Sequence, residues 1–276
     1  MRHFAILTVL LPGIAFAQIP DNQARARTLL ENSLKDKNPE TRTHAVQSLG
    51  LVSASEPYLS ELETMIADRD VGVRLAAIAS LVDLKSDRTI PTLRKALSSA
   101  VPEVSFAAAK ALWALGDPSG RDALLSVLDR ETKSSSGFIT KEKRDALRMM
   151  HTPRTFLVFA AVTGANIVPV MGVGAGVSSL QGILSNPGTT GRAASALLLS
   201  TDQTPGVLEA LQRELADPDW TVRAAVVHAI ATRNDAALES NLIPLFDDKK
   251  EAVRVRAAAG YLRLEAIRRS KGPVPE

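Results

Sequence analysis

Small and apolar residues recur at helical spacing along most of the chain, in blocks of similar length. The pattern is clearest over residues 68–81, 217–230 and 248–261. Each block begins with Asp, has Arg six residues later, and places small or apolar residues three, four and seven positions after that arginine, on one helix face. A second apolar stretch ends just before each block. The pattern predicts pairs of antiparallel helices joined by short turns.

The arginine position gives the length of the repeat. Arg74, Arg223 and Arg254 mark the clearest copies, and weaker copies have their equivalent position at Arg42, Ser105, Lys143 and Arg192. Successive reference positions are 32, 31, 38, 49, 31 and 31 residues apart. Two-helix units of this length bury their apolar faces by stacking on one another. The sequence therefore predicts an all-α fold, an α-solenoid (superhelix) of about seven helical pairs.

The residues before each second helix fit this interpretation. Asn38 is suited to cap a helix, Pro39 to occupy its first position and Glu40 to face its positive end. Asp70 and Asp219 stand where Asn38 stands in the first copy. Each second helix is thus predicted to begin at one sharply defined turn.

The motif Asp-Pro-Asp-x-x-Val-Arg-x-Ala-Ala at residues 217–225 resembles the HEAT repeat, particularly the short bacterial HEAT-like form also found in phycobilin lyases. The resemblance covers about residues 24–268 and implies a structural ladder in which Asp and Arg side chains join neighbouring repeats. The residues that it assigns to the ladder are Asp36, Arg42, Asp68, Arg74, Asn186, Arg192, Asp217, Arg223, Asp248 and Arg254. Ser99 with Ser105, and Gly137 with Lys143, depart from the motif, so the ladder is expected to be broken there.

Two intervals exceed the usual period. The first excess falls in the Ser-rich stretch 131–138, which predicts an exposed loop. The second lies within 155–191, a tract without a charged side chain that forms an apolar, Gly-rich insertion. A regular repeat does not require this insertion, so it is the best candidate for a specific function. The candidate binding residues are Ile167, Val168, Pro169, Met171, Gly172, Gly174 and Gly176.

Several structures of the 155–191 tract remain open at the sequence level. It could be a long buried helix with a Gly-rich kink, or an apolar groove for a partner segment or an acyl ligand. Membrane contact is a third alternative, because residues 156–180 are long enough to cross a bilayer. Nucleotide binding is disfavoured, since Val177 replaces the third glycine of a dinucleotide fingerprint.

The first 17 residues have the three parts of a secretory signal peptide. A short basic start precedes an apolar run over 4–16, and Ala15 and Ala17 flank Phe16 before Gln18. The sequence predicts export to the periplasm or the extracellular space, with a retained membrane tether as the alternative. The predicted domains are a signal peptide over 1–17, the solenoid over 18–270 and a tail over 271–276.

Composition adds few candidates for chemistry. The chain has no Cys, which excludes disulfides and thiolate metal sites, and its 33 basic and 30 acidic residues give no strong nucleic-acid footprint. His44, His151 and His228 fall in different repeats, without metal-ligand spacing. We expect no catalytic, cofactor or metal site and no nucleic-acid partner.

The predicted function is an exported, non-enzymatic scaffold that binds another protein or protein segment. The alternative is a protein that uses the 155–191 tract as an envelope ligand carrier, as a lyase-like enzyme or for contact with a membrane.

Overall fold

The structure, a computed structural model, describes residues 21–132, 191–204 and 206–271, and all regular secondary structure within these ranges is helical. Short 3₁₀ turns, at residues 87–89, 199–201, 214–216, 236–238 and 243–247, extend or connect the α-helices. In chain order the α-helices of the described residues are α1 (Asn22–Leu34), α2 (Pro39–Val52), α3 (Tyr58–Met65), α4 (Val71–Asp83), α5 (Ile90–Ala96), α6 (Pro102–Ala114), α7 (Pro118–Thr132), α8 (Gly191–Leu198), α9 (Val207–Arg213), α10 (Trp220–Thr232), α11 (Glu239–Leu242) and α12 (Glu251–Ser270).

The helices stack as an α-solenoid, which confirms the predicted fold class. The second helices of neighbouring pairs lie side by side, α2 against α4 and α4 against α6, and likewise α8 against α10 and α10 against α12. Leu49, Leu81, Leu112 and Ile230, each seven residues after a reference position, are fully buried in one continuous core. The repeated apolar position of the sequence is thus the centre of each unit.

The turns before the second helices form as the residues predict. Asn38 caps α2 with Pro39 in its first turn, and the Asn38 side chain accepts a hydrogen bond from the Glu40 amide. Asp70 caps α4 and Asp219 caps α10 in the same way. These side chains satisfy amide groups that the first turn of a helix leaves without partners.

Glycine and other small residues set the distance between neighbouring units. A Cβ atom on Gly50, eight residues after its reference position, would lie 3.0 Å from the Ser80 Cβ in the next unit. A Cβ on Gly260 would likewise lie 3.0 Å from that of Ala231. Position eight of one unit therefore meets position six of the next, and small side chains allow the close approach.

The fourth unit is described only in part. Its first helix, α7, packs against α6 at Gly120, where a Cβ would lie 2.7 Å from the Ala109 carbonyl oxygen. The helix continues to Thr132, so residues 131–132 of the predicted 131–138 loop are helical because α7 is longer than the other first helices. The remainder of that stretch lies outside the described residues.

The last helical pair closes back onto the first. Helix α12 packs against α10, the second helix of the preceding pair, and also against α1 and α2. The His44 Nδ1 lies 3.0 Å from Glu251 Oε2, and Arg263 Nη1 donates to the Leu51 carbonyl oxygen at 2.9 Å. Arg25 pairs with Asp247. We refer to this contact of α12 with α1 and α2 as the closing contact.

Candidate functional site

The candidate binding residues in the 155–191 tract, Ile167, Val168, Pro169, Met171, Gly172, Gly174 and Gly176, lie outside the described residues. The same is true of the predicted signal peptide, of Asn186 and of most of the C-terminal tail. What the structure places in detail is the rest of the predicted ladder, the surfaces on either side of the fourth unit and the closing contact.

The ladder forms between the first two units. Arg42 Nη1 donates to the carbonyl oxygen of Asp36, six residues earlier, at 2.8 Å. Its Nε and Nη2 donate to the two carboxylate oxygens of Asp68 in the next unit, both at 2.8 Å. One guanidinium therefore fixes its own turn and holds the neighbouring unit through a side-on, bidentate ion pair.

The same geometry recurs near the other end of the array. Arg223 Nη1 donates to the Asp217 carbonyl oxygen at 2.7 Å, while its Nε and Nη2 donate to Asp248 at 2.7 and 2.8 Å. Arg192 donates to the Asp217 carboxylate and so links the fifth unit to the sixth. Each acceptor carboxylate also accepts a hydrogen bond from the backbone amide two residues later. Asp217 accepts from the Asp219 amide, and Asp248 accepts from the Lys250 amide. The aspartate therefore organises its turn and accepts the ladder contact at once.

The ladder is incomplete at Arg74 and Arg254. Arg74 Nη1 donates to the Asp68 carbonyl oxygen at 3.2 Å, but the equivalent of Asp68 in the next unit is Ser99, and Arg74 Nε has no hydrogen-bond partner. Ser99 keeps only the local function, since its Oγ accepts from the Val101 amide at 3.2 Å. Arg254 donates to the Asp248 carbonyl oxygen at 2.7 Å, and no further unit follows it in the described chain.

The ladder carboxylates are ionised at neutral pH. Burial alone would raise the pKa of Asp68, but the hydrogen bonds from Arg42 and from the Asp70 amide outweigh burial, and the pKa lies below its ordinary value. The balance at Asp248 is the same, with Arg223 as the charged donor. These carboxylates are fully engaged in structure, so they are not available as general bases.

The described residues offer little for metal or acid–base chemistry. They contain no group of three or more side chains of the types that bind metals. His44 contacts Glu251, whereas His228 is buried, and burial together with the charges of Arg256 and Arg263 lowers its pKa to about 3. In the parts of the chain that the structure covers, no helix combines the length and the apolarity that crossing a bilayer would need.

A groove lies between α9 and the turn at 243–247. The neutral polar side chains of Gln212, Ser240 and Asn241 line it, beside the Arg223–Asp248 pair. Leu215, Ala216, Pro244 and Leu245 complete the lining, so most of the groove surface is apolar. Its charged residues, Arg223 and Asp248, are already paired with each other in the ladder.

Two exposed apolar residues stand at the edges of the third and fifth units that face the fourth unit, most of which lies outside the described residues. Trp113 stands eight residues after its reference position and is 63% exposed, whereas its equivalents Gly50 and Val82 are half-buried and Ala231 is fully buried. Leu198 stands six residues after its reference position, Arg192, and is 58% exposed, whereas its equivalents Ser80 and Ala229 are fully buried. The residue types at these two repeat positions were the sequence signal that could have identified this surface.

The family model of the HEAT repeats matches residues 59–135 and 178–263, which together make up more than half of the chain. The chain belongs to the HEAT-repeat family. No curated protein matches the sequence. Among solved structures, human deoxyhypusine hydroxylase in complex with glycerol is similar over 89% of this chain and 97% of its own, with 17% identity and a TM-score of 0.32.

The two matched HEAT ranges contain most of the ladder. They include Arg74, Arg192, Arg223 and Arg254 with the aspartates that precede or follow them. They leave residues 136–177 between them, a stretch that holds much of the uncharged tract. The regular HEAT pattern is thus interrupted where the sequence places its candidate function.

Proposed function

We propose that this HEAT-repeat protein is an exported, non-enzymatic scaffold that binds another protein or a protein segment. The binding surface comprises the apolar edges on either side of the fourth unit and the adjoining 155–191 tract. The observation that carries the proposal is the uncharged 155–191 tract, which interrupts the HEAT pattern between the two matched ranges. Trp113 and Leu198 are exposed in the described chain and border this interruption. Exposed aromatic and aliphatic side chains at an interruption of a repeat array are typical anchors for a polypeptide.

The distribution of charge supports a scaffold. Arg42, Arg192 and Arg223 are engaged in contacts between units, and their aspartate partners are held ionised by them. In the described chain, these repeated charges therefore pair with each other between adjacent units. A stacked array of helices offers a long surface whose apolar positions can follow an extended or helical partner.

Export is supported by the sequence over residues 1–17, which has a basic start, an apolar run and a small-residue cleavage site. We expect cleavage after Ala17 and a mature chain that begins at Gln18. N-terminal sequencing of protein recovered from the periplasm or the culture medium tests this directly. A cell-associated chain that keeps Met1 and stays in the cytoplasmic fraction would contradict the export part of the proposal.

Site-specific photocrosslinking tests the binding part. A photoreactive amino acid is placed at Trp113, at Leu198 or, as a control, at Lys95, which is an exposed charged residue on α5, the first helix of the third unit. Irradiation in the native host should give adducts with a distinct polypeptide from positions 113 and 198 and none from 95. The proposal fails if the first two positions give no polypeptide adduct, or the same adducts as the control.

A further inference from the structure

Three second helices meet at the closing contact and enclose a positive charge. Helix α12 lies against both α2 and α10, and α2 and α10 also contact each other. Arg256 of α12 is only 3% exposed, and its Nε and Nη1 have no hydrogen-bond partner. His228 of α10 is buried within electrostatic reach of Arg256, and its Nδ1 is likewise without a partner.

The charge of Arg256 has no counter-ion among the described residues. Burial lowers the pKa of Arg256 to about 10, which still leaves the guanidinium protonated at neutral pH. On the same helix, Glu251 Oε2 contacts His44 while its Oε1 is buried without a hydrogen-bond partner, and Glu265 lies beside Arg268 and Arg269. Neither carboxylate acts on the Arg256 guanidinium, whose only perturbation is its own burial.

His228 does not balance the charge either. Its imidazole is neutral at neutral pH, because burial and the positive charges of Arg256 and Arg263 disfavour its protonation. Arg263 is two turns further along α12, is partly buried and adds positive charge. Gln47 of α2, five residues after its reference arginine as His228 is in α10, has an unpartnered side-chain oxygen but carries no charge.

A buried cation without a counter-ion is costly, and proteins almost always pair such a group or bind an ion to it. We propose that Arg256 and His228, at the contact of α2, α10 and α12, bind an oxyanion. The free guanidinium N–H groups are the charged donors, and the neutral imidazole contributes a further N–H. The ligand is a carboxylate or a phosphate group, either as a free anion or carried by a larger molecule.

This inference does not depend on the surface proposed for protein binding. Trp113 and Leu198 border the fourth unit, whereas Arg256 and His228 lie where the last unit meets the first. Loss of the photocrosslinks at positions 113 and 198 would therefore leave the oxyanion site in place, and the reverse is also true.

Thermal unfolding of the full chain tests the site with inorganic phosphate and with acetate, each against sodium chloride of matched ionic strength. Ligand that binds only the folded state raises the melting temperature in a saturable manner. We expect saturation with at least one of these anions in the wild type and at least a tenfold weaker response in Arg256→Gln. Arg268→Gln, which removes an arginine already paired with Glu239, should respond as the wild type does.

A second measurement follows the imidazole of His228 by NMR during the same titrations. An oxyanion at Arg256 should shift the His228 ring signals with the midpoint found by melting, and Arg256→Gln should lose that shift. His228→Gln provides a second variant in which the guanidinium is intact. The proposal is overturned if neither anion changes the wild-type melting temperature and ring signals, or if Arg256→Gln responds as the wild type does.

Discussion

The missing carboxylate of the ladder can be restored at Ser99. Arg74 occupies the same position as Arg42 and Arg223, yet its Nε has no partner because Ser99 stands where those arginines meet an aspartate. Ser99→Asp should keep the local hydrogen bond to the Val101 amide, as Asp68 does with the Asp70 amide. It should also give Arg74 a bidentate partner.

The expected gain follows from the intact copies. A hydrogen bond to a charged group contributes about 1.5–3 kcal/mol, and part of that is offset by removing the new carboxylate from water. We therefore expect Ser99→Asp to raise the free energy of unfolding by ~1–2 kcal/mol. For a protein of this size, each ~1 kcal/mol corresponds to a rise in melting temperature of about 2–4 °C.

A double-mutant cycle isolates the pair. Unfolding by urea is measured for the wild type, Ser99→Asp, Arg74→Met and the double variant, and the coupling energy between the two positions should be about 1 kcal/mol or more. Ser99→Asn is the matched control, because it keeps the turn hydrogen bond without the charge. If Ser99→Asp stabilises the Arg74→Met background equally, the gain comes from the turn, and the account of the ladder is refuted.

Three further predictions follow from the described contacts. Arg42→Met leaves Asp68 buried without its partner and should lower the free energy of unfolding, measured with urea, by ~3–5 kcal/mol. Arg74→Met breaks no ion pair and should lower it clearly less. Equal losses would show that the ladder ion pair does not stabilise the fold. His228 takes up a proton near pH 6.5 when unfolded but only near pH 3 when folded, so stability should rise with pH between these values. In chloride buffer, His228 should lower the free energy of unfolding by about 3 kcal/mol between pH 7 and pH 4, from ~1.36 kcal/mol per pH unit. His228→Gln should reduce the pH dependence of the free energy of unfolding by that amount. An unchanged pH dependence contradicts a buried neutral imidazole. Gly120→Ala would bring a methyl group to 2.7 Å from the Ala109 carbonyl oxygen and should destabilise the α6–α7 contact by ~1–3 kcal/mol. Gly191→Ala, with open space around it, is the control and should be neutral or stabilising. Both are measured by differential scanning fluorimetry, and an unchanged melting temperature for Gly120→Ala would contradict the close approach.

The fold could be predicted because its determinants are local and repeated. Residues such as Asn38 and Asp219 act within one turn, and apolar positions such as Leu81 and Ile230 recur at the same place in every unit. Each copy supports the assignment of the others, so a weak motif repeated several times defines the architecture. The break at Ser99 was also readable, since a hydroxyl replaces the carboxylate that the ladder needs.

The closing contact could not be predicted, because it depends on the curvature that many units add together. A small change in rotation per unit decides whether the first and last pairs meet. The sequence does contain one signal. The second position after the reference is alanine in the intervening described units, Ala76, Ala107, Ala194 and Ala225, but is His44 in the first unit and Arg256 in the last. Those two polar residues are at the closing contact.

An open repeat array can gain or lose a unit at either end, since each unit touches only its neighbours. Here α12 has two sets of neighbours, and Arg263 and Glu251 hold it to α2 as well as to its own side of the array. Duplicating or deleting one helical pair would separate those partners and uncover apolar surface on both faces. In the described chain the closing contact therefore couples the two ends of the array, as closure couples the first and last strands of a barrel.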